Sequence, residues 1–251
     1  MLGNTCFSAI WPIAIESVHT GHLGDMATLG IISATQAHDD VRRLDTAAMP
    51  TRRSRYQRWV KPTIDVLGAT ALLLLSLPAL LGVALAVRVG LGRGVLYRQE
   101  RVGLDGRRFT IYKFRTMAHD RRRGDLAFVG EDRRQTHKHP DDPRHTKLGR
   151  FLRRTSLDEL PQLFNVLRRD MSLVGPRPEL PVVVAQYRPM HHRRHAVKPG
   201  MTGSWQVSAY RDQPITQAIG LDLAYVDTVS FTTDCRLLFK TVPAVLSRRS
   251  F

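Results

Sequence analysis

The chain has 251 residues, 43% of them hydrophobic, which is enough to bury a real core. With 38 Lys and Arg against 22 Asp and Glu, it carries a formal charge of +16; the excess favours polyanionic partners but does not choose among nucleic acid, an anionic membrane and phosphorylated substrates. Its two cysteines, Cys6 and Cys235, lie far apart, form neither a disulfide framework nor a metal-ligand spacing, and suit a reducing setting.

The opening MLGNTCFSAIWPIAIES is mildly apolar, but it has no basic lead and is interrupted by Glu16 and His19, so it does not read as a signal peptide. Residues 1–56 read as a poorly structured polar extension ending in the basic run TRRSRYQR, with the main domain over 57–251.

From Val66 to Val87 no residue is charged. As a straight helix the run would be about 33 Å long, enough for a hydrocarbon core, and too uniformly apolar for the core helix of a small domain. Pro78 sits near its middle and removes a backbone hydrogen bond, while Ser76 is placed to re-satisfy the freed carbonyls. Both flanks are basic: Arg52, Arg53, Arg55, Arg58 and Lys61 before, Arg88 and Arg93 after. A spanning helix satisfies the positive-inside preference at one end only. The sequence therefore predicts a re-entrant helix, broken at Pro78, that dips into one leaflet and returns.

GVLYRQERVG and RRFTIYKFRTM then alternate apolar and polar residues around the turn signal LDG and predict a β-hairpin. Residues 118–146 read as a long polar loop. TKLGRFLRR predicts a helix with Leu148, Phe151 and Leu152 on one face; its basic remainder suits either an anionic bilayer surface or ordinary solvent.

In TSLDELPQLFNVLRRDM, Thr155 or Ser156 can cap a helix whose first turn holds Asp158 and Glu159, where the macrodipole favours acids. The acids also have basic company: Arg153 and Arg154 before, then Arg177 fixed between two prolines in SLVGPRPEL, and Lys198 in the glycine-rich VKPGMTGSWQV. Arginine forks and glycine turns can hold phosphate oxygens, although Pro-Arg-Pro also serves simple packing. HKHPDDPRH at 137–145 and HHRRH at 191–195 read as solvated or headgroup-facing loops rather than metal sites, the second lying among basic residues without acidic partners nearby. Asp222 and Tyr225 read as helix packing.

Taken in order, KPTID at 61–65, the apolar run with Ser76 and Pro78, YRQERVG, YKFRTM, DPRHTKLGRFLRRTSLDELPQLFNVL, MSLVGPRPELP and VKPGMTGSWQV resemble the bacterial sugar transferase family. These are monotopic polyprenyl-phosphate phosphoglycosyl transferases, and the chain resembles their minimal form with an added N-terminal tail. The sequence departs from the family at Pro62, where an arginine is usual, and at His145, where a β-branched residue is usual.

The resemblance implies an α/β fold: a small monotopic membrane domain with a re-entrant Pro-kinked helix, a β-hairpin and interfacial amphipathic helices. It would sit on the cytoplasmic face of the inner membrane, against its anionic leaflet. The implied reaction transfers a sugar 1-phosphate from a UDP-sugar to a polyprenyl phosphate such as undecaprenyl phosphate, releasing UMP. By the family match Asp158 is the nucleophile and Glu159 holds Mg²⁺, with Lys113, Arg153, Arg154, Arg177 and Lys198 expected at the phosphates. Specific nucleic-acid binding is not expected, because aromatics are only 7% and a long uncharged run has no place in that reading.

Overall fold

The computed structural model describes residues 53–118, 146–210 and 215–246. The expectations for residues 1–52, for the long loop, for the 137–145 histidines and for the last residues of the chain lie outside these.

One π-helical turn, Tyr56–Val60, leads into α1, Lys61–Gly90. α1 buries Lys61, Asp65 and Ala69 near its start and Leu80, Val83 and Val87 near its end, at the spacing of one helix face. The other faces are leucines in the open, among them Leu67, Leu74, Leu75, Leu81 and Leu85. Only 17% of the apolar stretch is buried, unlike the mostly buried core helix of a soluble protein. Such a surface is compatible with contact with lipid.

α1 passes through Pro78 as one helix rather than as the two pieces expected. Ser76 Oγ donates to the Leu73 carbonyl at 3.4 Å, not to the Leu74 carbonyl that Pro78 leaves without its donor.

Both ends of α1 are fastened to one domain. At the start, Lys61 Nζ pairs with Asp234 Oδ2 at 2.5 Å, and the Tyr56 and Tyr225 hydroxyls each donate to the same carboxylate at 2.7 Å. Burial, reinforced by Asp234, raises both phenols far above the usual tyrosine range, so both remain donors. One turn further, Asp65 accepts from Ser172 Oγ at 2.9 Å and from the Leu173 backbone N–H at 3.0 Å. At the far end, Leu80, Val83 and Val87 pack with Phe114 and Leu152, and Arg115 donates to the carbonyls of Leu91, Gly92 and Arg93.

The predicted hairpin forms. β1 (Leu96–Val102) pairs antiparallel with β2 (Arg108–Phe114), from Leu96 opposite Phe114 to Val102 opposite Arg108, across a tight turn in which Asp105 has φ +51°. A second, parallel pair joins β3 (Ser172–Val174) to β4 (Gly200–Thr202). Glycine is required where these strands end: a Cβ on Gly200 would lie 2.0 Å from Gly175 N, and one on Gly203 2.2 Å from Gly175 O. These glycines therefore allow two backbones to touch.

Helices α2 (Lys147–Thr155), α3 (Gln162–Leu167), α4 (Pro181–Val184), α5 (Ile215–Asp227) and α6 (Phe231–Leu246) follow, with 3-10 segments at Leu157–Glu159 and Pro189–Ala196. The main core joins Ala69 of α1, Ile111 of β2, Val166 of α3, Val174 of β3, Tyr225 of α5 and Leu237 of α6.

α2 is capped by Thr146, whose Oγ accepts from Gly149 N at 2.9 Å. Leu152 is buried and Leu148 half-buried, but Phe151 is 56% exposed and does not share their face as expected. Gly149 lies directly on β2's exit: a Cβ there would meet the Thr116 carbonyl oxygen at 1.8 Å. Gly149→Ala is therefore expected to cost about 1–3 kcal/mol by overpacking against backbone. A lowered melting temperature in detergent checks this, and an unchanged one contradicts it.

Candidate active site

The two acids do not occupy the first turn of a capped α-helix. α2 ends at Thr155, Ser156 takes a left-handed φ of +59°, and Leu157–Glu159 form a single 3-10 turn without a side-chain cap from Ser156. α3 starts only after Pro161. Leu157 and Leu160 pack into the core on either side of the pair, and this apolar grip sets the acids between them. Asp158 is 8% exposed. The helix-dipole explanation for acids at this position therefore gives way to their neighbours in space.

Those neighbours are cations from distant segments. Lys113 Nζ on β2 donates to Glu159 Oε1 at 2.9 Å, and Arg177 Nη1 approaches the same oxygen at 3.4 Å. Asp158 acts electrostatically on both cations. Burial pulls Lys113 below the ordinary lysine range; Glu159 opposes this and Arg177 adds to it. Arg177 is raised instead: burial alone would lower it, but the Glu159 and Glu179 carboxylates outweigh that. Its guanidinium also lies over the Trp205 ring, 5.8 Å from the centroid. Two acids and two cations, all largely withdrawn from water, make a site that can neutralise an incoming polyanion and offer it a carboxylate oxygen.

A sequence model of the bacterial sugar transferase family matches residues 56–248. The chain belongs to that family. It is 41% identical over 199 residues to the UDP-galactose-lipid carrier transferase of Erwinia amylovora, covering 76% of this chain and 41% of that protein. It is 40% identical over 200 residues to the UDP-glucose:undecaprenyl-phosphate glucose-1-phosphate transferase of Escherichia coli K12, again 76% against 41%. The chain thus matches about two fifths of the length of these relatives. The exopolysaccharide production protein ExoY of Rhizobium meliloti is 38% identical over 201 residues, with 76% of this chain and 88% of that protein covered.

Within this family member, the expected phosphate-binding residues fall in three places. Lys113 and Arg177 meet at Glu159. Arg153 is half-buried and donates from Nε to Thr116 Oγ1 at 3.0 Å, tying α2 to the end of β2, while Arg154 is exposed on α2. Lys198 stands elsewhere: it lines a separate cleft with Arg53, Arg58 and Arg169.

Two supports escaped sequence reasoning. Asn165 on α3 accepts from the Tyr112 backbone N–H at 3.1 Å and donates to the Thr110 carbonyl at 2.7 Å, which holds the strand carrying Lys113. Arg194, inside HHRRH, is fully buried and pairs with Asp222 Oδ2 at 2.5 Å. It also donates to the Tyr187 hydroxyl at 3.0 Å and to the Arg177 carbonyl at 2.7 Å, so it fixes the Pro-Arg-Pro backbone. HHRRH is therefore not the solvated loop without acidic partners that the sequence suggested. His192 and His195 are buried against Tyr187, and Arg193 pairs with Asp227 at 2.6 Å. No signal in the sequence pairs Arg194 with an acid 28 residues away.

Asp158 and Glu159 supply hard oxygen donors, the chemistry of Mg²⁺ rather than of a thiolate or imidazole metal. Among the described residues no three His, Cys, Asp or Glu side chains gather. A pair of carboxylates fits Mg²⁺ when phosphate oxygens of a ligand complete the shell, as that ion commonly binds.

Proposed function

We propose that this chain transfers a sugar 1-phosphate from a UDP-sugar to a polyprenyl phosphate such as undecaprenyl phosphate, releasing UMP, an opening step in exopolysaccharide or glycoconjugate assembly. The observation that carries the reading is the buried Asp158 beside a half-buried Glu159 that Lys113 and Arg177 hold. The activities in the relatives' names agree with it.

Donor and acceptor are both polyanions, so the site must first supply positive charge. Lys113 and Arg177 hold the diphosphate oxygens, giving up part of their hold on Glu159 as they do so. An ionised Asp158 Oδ attacks the phosphorus that bears the sugar. The bond from that phosphorus to the bridging oxygen breaks, and UMP leaves with the oxygen and its electron pair. The resulting acyl phosphate is attacked at the same phosphorus by an oxygen of the lipid phosphate. Asp158 leaves as a carboxylate, and the lipid now carries a diphosphosugar. Two displacements through an enzyme-bound intermediate replace one difficult encounter of anions. Mg²⁺, held by Glu159 beside Asp158, would neutralise diphosphate charge while bound.

We read α1 as a monotopic membrane anchor on the cytoplasmic face of the inner membrane. Its start is fastened through Lys61 and Asp65, and its end through Val83, Val87 and the Arg115 contacts, to one and the same domain. A spanning helix would separate its ends across the bilayer. Between Thr70 and Ala79 no residue is buried, and Pro78 lies in that stretch, which suits a bend there that returns the chain to the face it entered. Arg55 and Arg58 before it and Arg88 and Arg93 after it suit one anionic leaflet.

Detergent-purified protein, polyprenyl phosphate and a panel of UDP-sugars test the reaction. The expected outcome is UMP release with at least one donor, matched by a lipid diphosphosugar in the mass spectrum and lost in chelator. The absence of UMP with every donor contradicts it.

A further inference from the structure

We propose that a cationic cleft at the start of α1 binds the phosphate of an anionic glycerophospholipid, at a site separate from the reacting centre. The proposal rests on α1 meeting a bilayer and not on the transfer chemistry.

The cleft encloses about 640 Å³. Arg53, Arg58, Arg169 and Lys198 line it together with Trp59 and Thr63, and none of its lining residues is acidic. Two of the cations have partners: Arg53 pairs with Asp105 at 2.8 Å, and Arg58 lies over the Trp59 ring. Among the described residues, the Arg169 and Lys198 side chains make no hydrogen bond or ion pair. Burial lowers the Lys198 ammonium below the ordinary lysine range; Arg169 and Arg53 push the same way as burial, and Asp65 and Asp170 oppose it. Four cations around one cleft with no acid in its lining favour an anion there, beyond what Asp65 and Asp170 behind it supply. Arg169 also takes a left-handed φ of +65°, a conformation costly for a residue with a Cβ.

The surroundings select a lipid over a soluble phosphate. Trp59 is 68% exposed and Val60 47%, and the uncharged run of α1 starts a few residues later. An amphipathic ring at the edge of an apolar helix is the usual marker of the headgroup level. A phospholipid seated there would place its phosphodiester against Arg169 and Lys198 and its acyl chains along the exposed leucines of α1. The cations that face Glu159 are Lys113 and Arg177, and neither lines the cleft.

Delipidated full-length protein in nonionic detergent, titrated with phosphatidylglycerol and followed by thermal unfolding, tests the site. Phosphatidylglycerol is expected to raise the melting temperature, and phosphatidylcholine and glycerol 3-phosphate are not. Arg169→Gln with Lys198→Gln should weaken phosphatidylglycerol at least about tenfold. A charge-matched change on exposed α2, Lys147→Gln with Arg150→Gln, should keep the affinity within about twofold, as screened general attraction would. Arg169→Gly with Lys198→Gln suits the left-handed backbone and guards against a folding defect; it should weaken phosphatidylglycerol to the same extent. Wild-type affinity in the cleft variants, or equal loss in the α2 variant, overturns the proposal. Equal protection by phosphatidylcholine or by glycerol 3-phosphate overturns it too, the latter by making the site one for soluble phosphate. Complete displacement of phosphatidylglycerol by equimolar polyprenyl phosphate would assign the cleft to the acceptor and overturn it as well. Failure of the membrane reading shows separately, as release of the protein from membranes by alkaline carbonate without detergent.

Discussion

Asp158→Asn is expected to stop UMP release, lowering the rate by about 10⁴-fold or more, since roughly 5.5 kcal/mol of barrier returns with the loss of the nucleophile. The amide has the size of the carboxylate and fits the same buried place, so the fold is kept, but its oxygen does not displace UMP. Donor binding should survive. Asp158 contributes negative charge beside Lys113 and Arg177; removing it leaves those cations freer to hold the diphosphate. UDP-sugar affinity measured by calorimetry should therefore be unchanged or tighter while UMP release disappears. Turnover within a few fold of wild type would remove Asp158 from the reaction.

Lys113→Met is expected to have the next largest effect, a loss of about 10²–10³ in kcat/KM, the scale for deleting one preorganised charge at a reacting centre. The methionine fills the space of the lysine stem, so packing beneath β2 is preserved, but Glu159 loses its 2.9 Å partner and the diphosphate loses a cation. The pH profile separates this role from simple packing. Only the protonated ammonium holds phosphate, so activity is present below the Lys113 pKa and falls as pH rises through it. Burial sets that pKa below the ordinary lysine range, so the alkaline limb of the free-enzyme profile should appear earlier than a normal lysine would give. Lys113→Arg keeps a cation that does not titrate and should move the limb upward while restoring part of the rate. A Met variant within about threefold of wild type, or an alkaline limb that the Arg variant leaves in place, would contradict the role.

What could be read from the sequence was what local pattern encodes. Alternation around LDG gave the hairpin at Leu96–Val102 and Arg108–Phe114, and an uncharged run gave the exposed helix. Thr146 and the 3.6-residue period gave α2, yet Phe151 was misplaced because the packing partners of a nine-residue helix decide which of its apolar residues turn inward. The acid pair and Arg177 were visible as residue types in a motif, and Lys113 through its strand. Their meeting at one carboxylate oxygen was not visible, because it depends on contacts 46 and 18 residues apart in sequence. That Lys198 lines a cleft with Arg53, Arg58 and Arg169 was not visible for the same reason. A basic residue beside a glycine turn does not reveal which anion it faces, and here the glycines serve the close passage of Gly175 and Gly200. HHRRH misled because its charge suggested solvent, whereas Asp222 compensates Arg194 inside the protein.

The most direct measurement is to incubate purified protein with UDP-sugar labelled in the phosphate next to the sugar, omit the lipid acceptor, quench in acid and map the label. One labelled phosphosugar per chain, on the peptide containing Asp158 and discharged when polyprenyl phosphate is added, is the predicted result. Lipid product forming at full rate while the protein carries no label at any time would show that phosphorus passes straight from donor to acceptor.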